Sequence, residues 1–295
     1  MTDPVTRVMV VGASGMLGHR VARHFARSRD TVALLREGNR PPRLVQALAG
    51  ARVVETGPLD GDAIAALLDH YRPELVINAA GLIKQRPEAS DPVAMIEANA
   101  LLPHRLAAHC STRAVRLIHI SSDCVFNGCR GHYREEDPTD ANDLYGRTKR
   151  LGEPAGHGVL TMRTSIIGPE VGTAYGLLEW FRARQRTTAN GYRRVIFPGL
   201  PTIRVAMLLE TVADRFPLLD GLYHVGAEPI AKHDLLSLIN DRYGFQITLR
   251  PVDEPASDRS LDCSRFRLAT GFVAESWPEL VDLMASNEED ERKPE

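Results

Sequence analysis

Three glycines near the start of the chain narrow the fold most. Gly12, Gly15 and Gly18 stand in the spacing G-x-x-G-x-x-G. They lie between an apolar, β-branched run at 7–11 and an apolar pattern of helical period that continues to about Ser28. Strand, glycine turn and helix in that order are what a dinucleotide-binding β–α unit requires. Glycine lets the backbone approach a pyrophosphate, and the helix N-terminus offers unpaired N–H groups and a positive dipole end. Ser14, Met16 and Leu17, between the glycines, are expected against the same cofactor. A glycine turn can also serve plain helix–strand packing, so the rest of the chain has to decide.

The next elements keep alternating. A second strand at 31–35 ends in Arg36, where an NAD site usually carries an acid for the ribose hydroxyls. An arginine there accommodates a 2′-phosphate instead. Arg36, with Arg40 or Arg43, therefore points to NADP(H), with NAD as the alternative cofactor; a solvated surface arginine is the plainer reading. A third strand follows at 52–55, a helix at 60–71 and a fourth strand at 75–78. Ala79, Ala80 and Gly81 come next, small enough for a flat cofactor to lie on the backbone, or simply for tight packing. Lys84 and Arg86 in the following loop either meet substrate phosphates or are solvated. A helix at 92–110 carries Asn99 within an apolar pattern. A buried amide needs partners, so Asn99 holds either backbone or water near a site, or a simple buried hydrogen bond. Strands at 116–122 and 158–164 complete an α/β pattern, a right-handed, doubly wound parallel sheet.

The fifth strand ends in the hydroxyls of Ser121 and Ser122. After a polar loop, a helix opens behind Asp140, Asn142 or Asp143 as N-cap. On it Tyr145 and Lys149 are four residues apart and share a face. An ammonium beside a phenol lowers the phenol's pKa, and either serine could hydrogen-bond it. The Tyr-x-x-x-Lys pair alone is weak. With 7 Tyr and 4 Lys in 295 residues, roughly one chain in ten carries it by chance. Its weight comes from the strand and glycine turn before it.

Composition removes several function classes. The net charge of −2 gives no electrostatic footprint for nucleic acid. No run of about 18 apolar residues is present, so neither a membrane span nor a membrane partner is expected. No basic, apolar leader is seen, and a cytoplasmic setting is the expectation. Cys110, Cys124, Cys129 and Cys263 show no C-x-x-C spacing, so no metal site or disulfide framework is expected. The tail at 286–295, rich in Glu, Asp and Lys, reads as disordered.

Together these motifs resemble the extended short-chain dehydrogenase/reductases. The residues that carry the likeness are Gly12-x-x-Gly15-x-x-Gly18, Asn78-Ala-Ala-Gly81, Asn99, Ser121-Ser-Asp-Cys-Val-Phe-Asn-Gly128 and Tyr145-x-x-x-Lys149. Within that superfamily the chain looks most like the dTDP-4-dehydrorhamnose reductase group and its polysaccharide nucleotide-sugar relatives. Tyr145-Gly-Arg-Thr-Lys-Arg-Leu-Gly-Glu153, 160–165 and 221–225 are similar to that group as well. The resemblance covers roughly 5–285 and is strongest in the first 165 residues. It implies Tyr145 as acid/base, Lys149 as its partner on the nicotinamide ribose, Ser122 at the reacting carbonyl and Asn99 in support of the lysine. Cys124 stands where the group usually has Tyr, which leaves one substrate contact open beside Asp123. At the adenine only Leu59 matches the family's pattern.

The resemblance also implies the organisation of the second half. A nucleotide domain at 1–165 and 202–226 (Rossmann type) would carry a smaller, discontinuous substrate lobe at 166–201 and 227–285. Trp180 or Tyr175 would stack on a base or sit in the core. Arg259 would clamp a pyrophosphate or form a surface ion pair. The implied activity is NADPH-dependent reduction of a nucleotide-linked 4-keto sugar in polysaccharide or deoxysugar biosynthesis. The alternatives are a non-catalytic module like the methionine adenosyltransferase regulatory subunit, and an epimerase or dehydratase; a homodimer is left open. Side chains alternate along a strand, so Cys124 is expected to face away from the site, which favours reduction alone.

Overall fold

The structure, a computed structural model, describes residues 6–292. Seven strands form its centre: β1 (Arg7–Val11), β2 (Asp30–Arg36), β3 (Arg52–Thr56), β4 (Leu75–Asn78), β5 (Arg116–Ser122), β6 (Val159–Thr164) and β7 (Gly221–His224). Their order is β7-β6-β5-β4-β1-β2-β3, with every neighbour pair parallel. Alternate residues feed two cores. Val8, Val10, Ile77 and Ile118 face one helix layer, and Met9, Val11, Val76 and Leu117 face the other. Burial on both faces is why these strands read as continuous apolar runs. The doubly wound α/β sheet is thus as expected, and the strand after 220 does return to it beside β6.

Strand order reverses between β1 and β4, β2 and β3 lying to one side and β4 to β7 to the other, so a crevice opens at their carboxyl ends. Three short sheets pack elsewhere: Ile166–Ile167 with Leu200–Pro201, Val195–Phe197 between Ile230–Ala231 and Ser257–Asp258, and Thr188–Tyr192 with Thr248–Val252.

Two expectations need correction. The helix at 92–110 is not uniform, because Glu97–Leu101 is a π turn between Pro92–Ile96 and Leu102–Ser111. Pro103 has no N–H for the Asn99 carbonyl four residues earlier, and its ring would press on that carbonyl, so the helix widens there. The tail expected to be disordered instead completes the helix Trp277–Arg292; residues 293–295 lie outside the described residues. Leu280, Val281, Met284 and Ala285 anchor that helix in the core. Its acids meet basic partners from distant helices. Buried Arg20 binds Asn287 and Glu291, Arg182 reaches Glu288 at 2.7 Å, and Arg242 reaches Glu289 at 2.8 Å. Tail composition shows the acids but not the partners waiting for them.

Candidate active site

The glycine turn follows β1 and is built for close approach. Gly12 has φ +80°, and a Cβ on it would lie 2.6 Å from the Ala80 backbone. Only glycine fits both the left-handed conformation and that contact. The helix Met16–Phe25 then starts at Gly15 with no side-chain cap and no acid in its first turn. Its free N–H groups and dipole suit an anion. Ser14, Gly15, Arg36, Leu59 and Ala79–Gly81 line the same cavity of about 790 Å³, with Gly12 at its base. These residues fit a dinucleotide. Arg36 ends β2 and lines this cavity with Glu37 and Asn39, while Arg40 lies 3.6 Å from Glu55.

A second cleft of about 380 Å³ shares Gly15 and Ala79–Gly81 with the first. Met16, Leu17, Lys84, Ser122, Asp123, Cys124, Tyr145, Lys149 and Arg259 line it. Gly18 lines neither cavity.

Asp143 is the N-cap of the helix Leu144–Leu151, accepting a hydrogen bond from Gly146 N at 2.7 Å. That cap sets the helix so that Tyr145 and Lys149 both face the end of β5. Lys149 Nζ donates to Ile120 O at 2.8 Å. The Tyr145 phenol meets the Ser122 hydroxyl, which itself donates to Asp123 Oδ1 at 3.1 Å. Asn99 does not bond Lys149. Its Oδ1 accepts from Leu82 N at 2.8 Å, and its Nδ2 donates to Leu82 O at 2.9 Å and Thr148 Oγ1 at 3.3 Å. It therefore ties the loop after β4 to the helix Leu144–Leu151.

The charge state of the pair differs from expectation. Burial, with Cys124 and Asp123 adding to it, pushes the Tyr145 phenol above its ordinary value rather than below. Burial pulls the Lys149 ammonium down to about 8, against the opposing Glu153 carboxylate. The ammonium is turned toward the Ile120 carbonyl, so desolvation outweighs its pull on the phenol. A phenol that keeps its proton at neutral pH suits a proton donor.

Cys124 also departs from expectation. The strand stops at Ser122, and Asp123–Val125 is a 3-10 turn. The turn brings Cys124 into the cleft beside Tyr145 instead of away from it. Burial first, then Asp123, pushes its thiol up to about 12. Asp123 is buried too, and burial raises its carboxyl, with Arg259 opposing. Arg259 spends Nε on Phe126 O at 2.8 Å and Nη2 on Asn127 O at 3.3 Å. Lys84 reaches Asp143 at 3.4 Å on the rim.

The family described as RmlD substrate binding domain matches residues 6–289. The chain belongs to that family. It is 27% identical to methionine adenosyltransferase 2 subunit beta of Mus musculus, over 95% of this chain and 90% of that one. It is 38% identical to the dTDP-4-keto-6-deoxy-D-glucose reductase of Streptomyces niveus, over 52% of this chain and 48% of that one. Among solved structures it is similar to the dTDP-4-dehydrorhamnose reductase of Bacillus anthracis in complex with NADP. There the TM-score is 0.74 at 18% identity, covering 96% of this chain and 99% of that one. That last likeness shows the fold.

Among the cleft residues of this RmlD-family chain that sequence reasoning missed are Lys232 and Glu170. Lys232 begins the helix Lys232–Tyr243, whose N-cap Ala231 gives no side-chain bond. It faces Asp123 and Cys124. A cation at a helix N-terminus opposes the dipole, and that anomaly was a readable sign of a nearby acid. Glu170 lines the cleft and accepts from Tyr175 N at 2.8 Å, in a loop with no periodic signal. Tyr175 does line the cleft, whereas Trp180 packs on the core with Arg184 over its ring at 4.2 Å. Among the described residues no His/Cys/Asp/Glu group could hold a metal ion. No helix there is long and apolar enough to cross a membrane.

Proposed function

We propose that this protein is an NADP-dependent reductase of a nucleotide-linked 4-keto sugar in polysaccharide or deoxysugar biosynthesis. One observation carries the reading. The Ser122 hydroxyl, the protonated Tyr145 phenol and Lys149 stand at the end of β5, in a cleft continuous with the glycine cradle. Bound NADPH would supply the hydride. Ser122 orients the carbonyl oxygen by hydrogen bonding, and Tyr145 gives that oxygen its proton as the alkoxide forms. Lys149 holds positive charge beside the developing anion. Arg36 takes the 2′-phosphate. Residues 166–201 and 227–285 act as the substrate lobe, with Asp123, Lys84, Lys232 and Arg259 toward the nucleotide sugar.

A second reading is favoured by the span of the likeness. The match to the adenosyltransferase subunit runs over 95% of this chain, and that to the Streptomyces niveus reductase over 52%. A fold does not by itself carry an activity. The deciding experiment is oxidation of NADPH by the purified protein against a panel of nucleotide-linked 4-keto sugars. Turnover of at least one sugar supports the reductase. Tight NADPH binding with no turnover across the panel favours the regulatory module.

A further inference from the structure

A buried ion pair lies behind the acid/base helix, and the reaction above does not use it. Glu153 follows Gly152, which caps that helix. Its side chain is 3% exposed, and that of its partner Arg163, on β6, is 2% exposed. Arg163 grips the carboxylate in parallel, Nε to Oε1 and Nη2 to Oε2, both at 2.8 Å. Ser121 Oγ adds a third bond at 2.7 Å. The remaining guanidinium nitrogen, Arg163 Nη1, lies 3.2 Å from His224 Nε2 on β7. A guanidinium only donates, so Nε2 accepts and the imidazole proton sits on Nδ1. That proton is given to Tyr133 O at 2.9 Å. Burial, then Arg163, lowers His224 to about 3, so the ring is neutral. Burying charges is costly in general, so a pair this well satisfied is a candidate for a role beyond stability.

Strand β5 is where the pair meets the site. Ile120 O receives Lys149 Nζ, and the next residue, Ser121, binds Glu153. Ammonium and carboxylate thus dock on adjacent residues of one strand, from one helix and its cap. We propose that Glu153 is a positioning residue for Lys149: its buried negative charge, fixed by Arg163 and Ser121, keeps the lysine ammonium charged and seated on the Ile120 carbonyl. Other groups near Lys149 do not supply that charge. Cys124, in the turn after β5, is a thiol held up to about 12. Tyr145, one turn earlier on the helix, keeps its proton. His119 on β5 is driven well below its ordinary value by burial and is neutral. Asn99 is an uncharged amide, and Arg150 meets the outer face of Glu153 at 3.3 Å. An opposite charge nearby favours the charged form of an amine that burial would neutralise. The consequence for turnover rests on the reductase reading; the effect on Lys149 does not.

The test reads Lys149 directly. The chain has only four lysines, Lys84, Lys149, Lys232 and Lys293. NMR of the full-length protein labelled with ¹³C-lysine can therefore follow each one through a pH titration without substrate. Lys149 should titrate near pH 8 in the natural protein. Glu153→Gln should lower that midpoint by roughly one unit, and Glu153→Asp should restore most of it. If Glu153→Gln alone does not fold, Glu153→Gln with Arg163→Gln removes both buried charges, and a smaller shift in the same downward direction is expected because the guanidinium is lost as well. A Lys149 midpoint unchanged in the folded Gln variant overturns the proposal. A shifted midpoint in a protein that reduces no sugar of the panel upholds the role of Glu153 and removes the reductase reading.

Discussion

Gly152 lets the Lys149 helix reach Asn99. A Cβ at Gly152 would overlap the Asn99 backbone oxygen and stand 2.8 Å from its carbonyl carbon. That carbonyl sits in the π turn that Pro103 imposes, while the Asn99 side chain bonds Leu82 and Thr148. One close approach therefore sets the helix Leu144–Leu151 against the loop after β4. Gly152→Ala should cost about 1–3 kcal/mol by overpacking and should lower turnover as well. Urea unfolding reads the first effect. An unchanged midpoint would show that the two backbones separate without loss.

Tyr145 is proposed as the proton donor. Tyr145→Phe should reduce turnover by roughly a hundredfold or more while leaving NADPH affinity nearly intact. The ring fills the same space, and only the donated proton is lost. Paired turnover and cofactor titrations check this. Undiminished turnover would move the donor elsewhere in the cleft.

The state of Lys149 predicts a pH dependence with a definite sign. Its folded value of about 8 lies below the ordinary lysine range, because burial disfavours the ammonium. Below about 8 both folded and unfolded chains hold the proton, and the penalty for burying it is present in full. Between there and the ordinary value near about 10.4, the unfolded chain binds more protons. The contribution of Lys149 to stability therefore rises with pH across that window. Activity should run the opposite way, since the positive charge proposed to lie beside the developing alkoxide is lost as pH passes about 8. A rate that stays flat from pH 7 to 10 would contradict this role.

Arg36 is proposed to read the 2′-phosphate. Arg36→Ala should weaken NADPH binding by tenfold or so, the scale of one charge-assisted contact, and change NADH binding little. Equal losses for the two cofactors, measured by fluorescence titration, would assign Arg36 to the surface.

Reduction without epimerisation is still expected, on different grounds from strand alternation. Cys124 does face the cleft, but a thiol held up to about 12 stays protonated and makes a poor base at neutral pH. Reduction in deuterated water should leave C3 and C5 of the sugar protiated once exchange without enzyme is subtracted. Enzyme-dependent deuterium at either carbon, seen by NMR, would make Cys124 the first residue to replace.

Local sequence determined the doubly wound sheet and most of the proposed site. Apolar β-branched runs, the turn at Gly12 and the four-residue step from Tyr145 to Lys149 are short-range signals, and the backbone conformations they favour were adopted. Even the N-cap was among three named candidates and proved to be Asp143. Long-range geometry decided the rest. The burial that reverses the expected shift of Tyr145, the turn that swings Cys124 into the cleft and the arrival of Lys232 opposite Asp123 each depend on elements far apart in the chain. The acidic tail became a helix because Arg20, Arg182 and Arg242 were waiting on three other helices. Periodicity and spacing record what a segment prefers on its own. Desolvation and pairing depend on what is packed against it, and only the folded chain decides that.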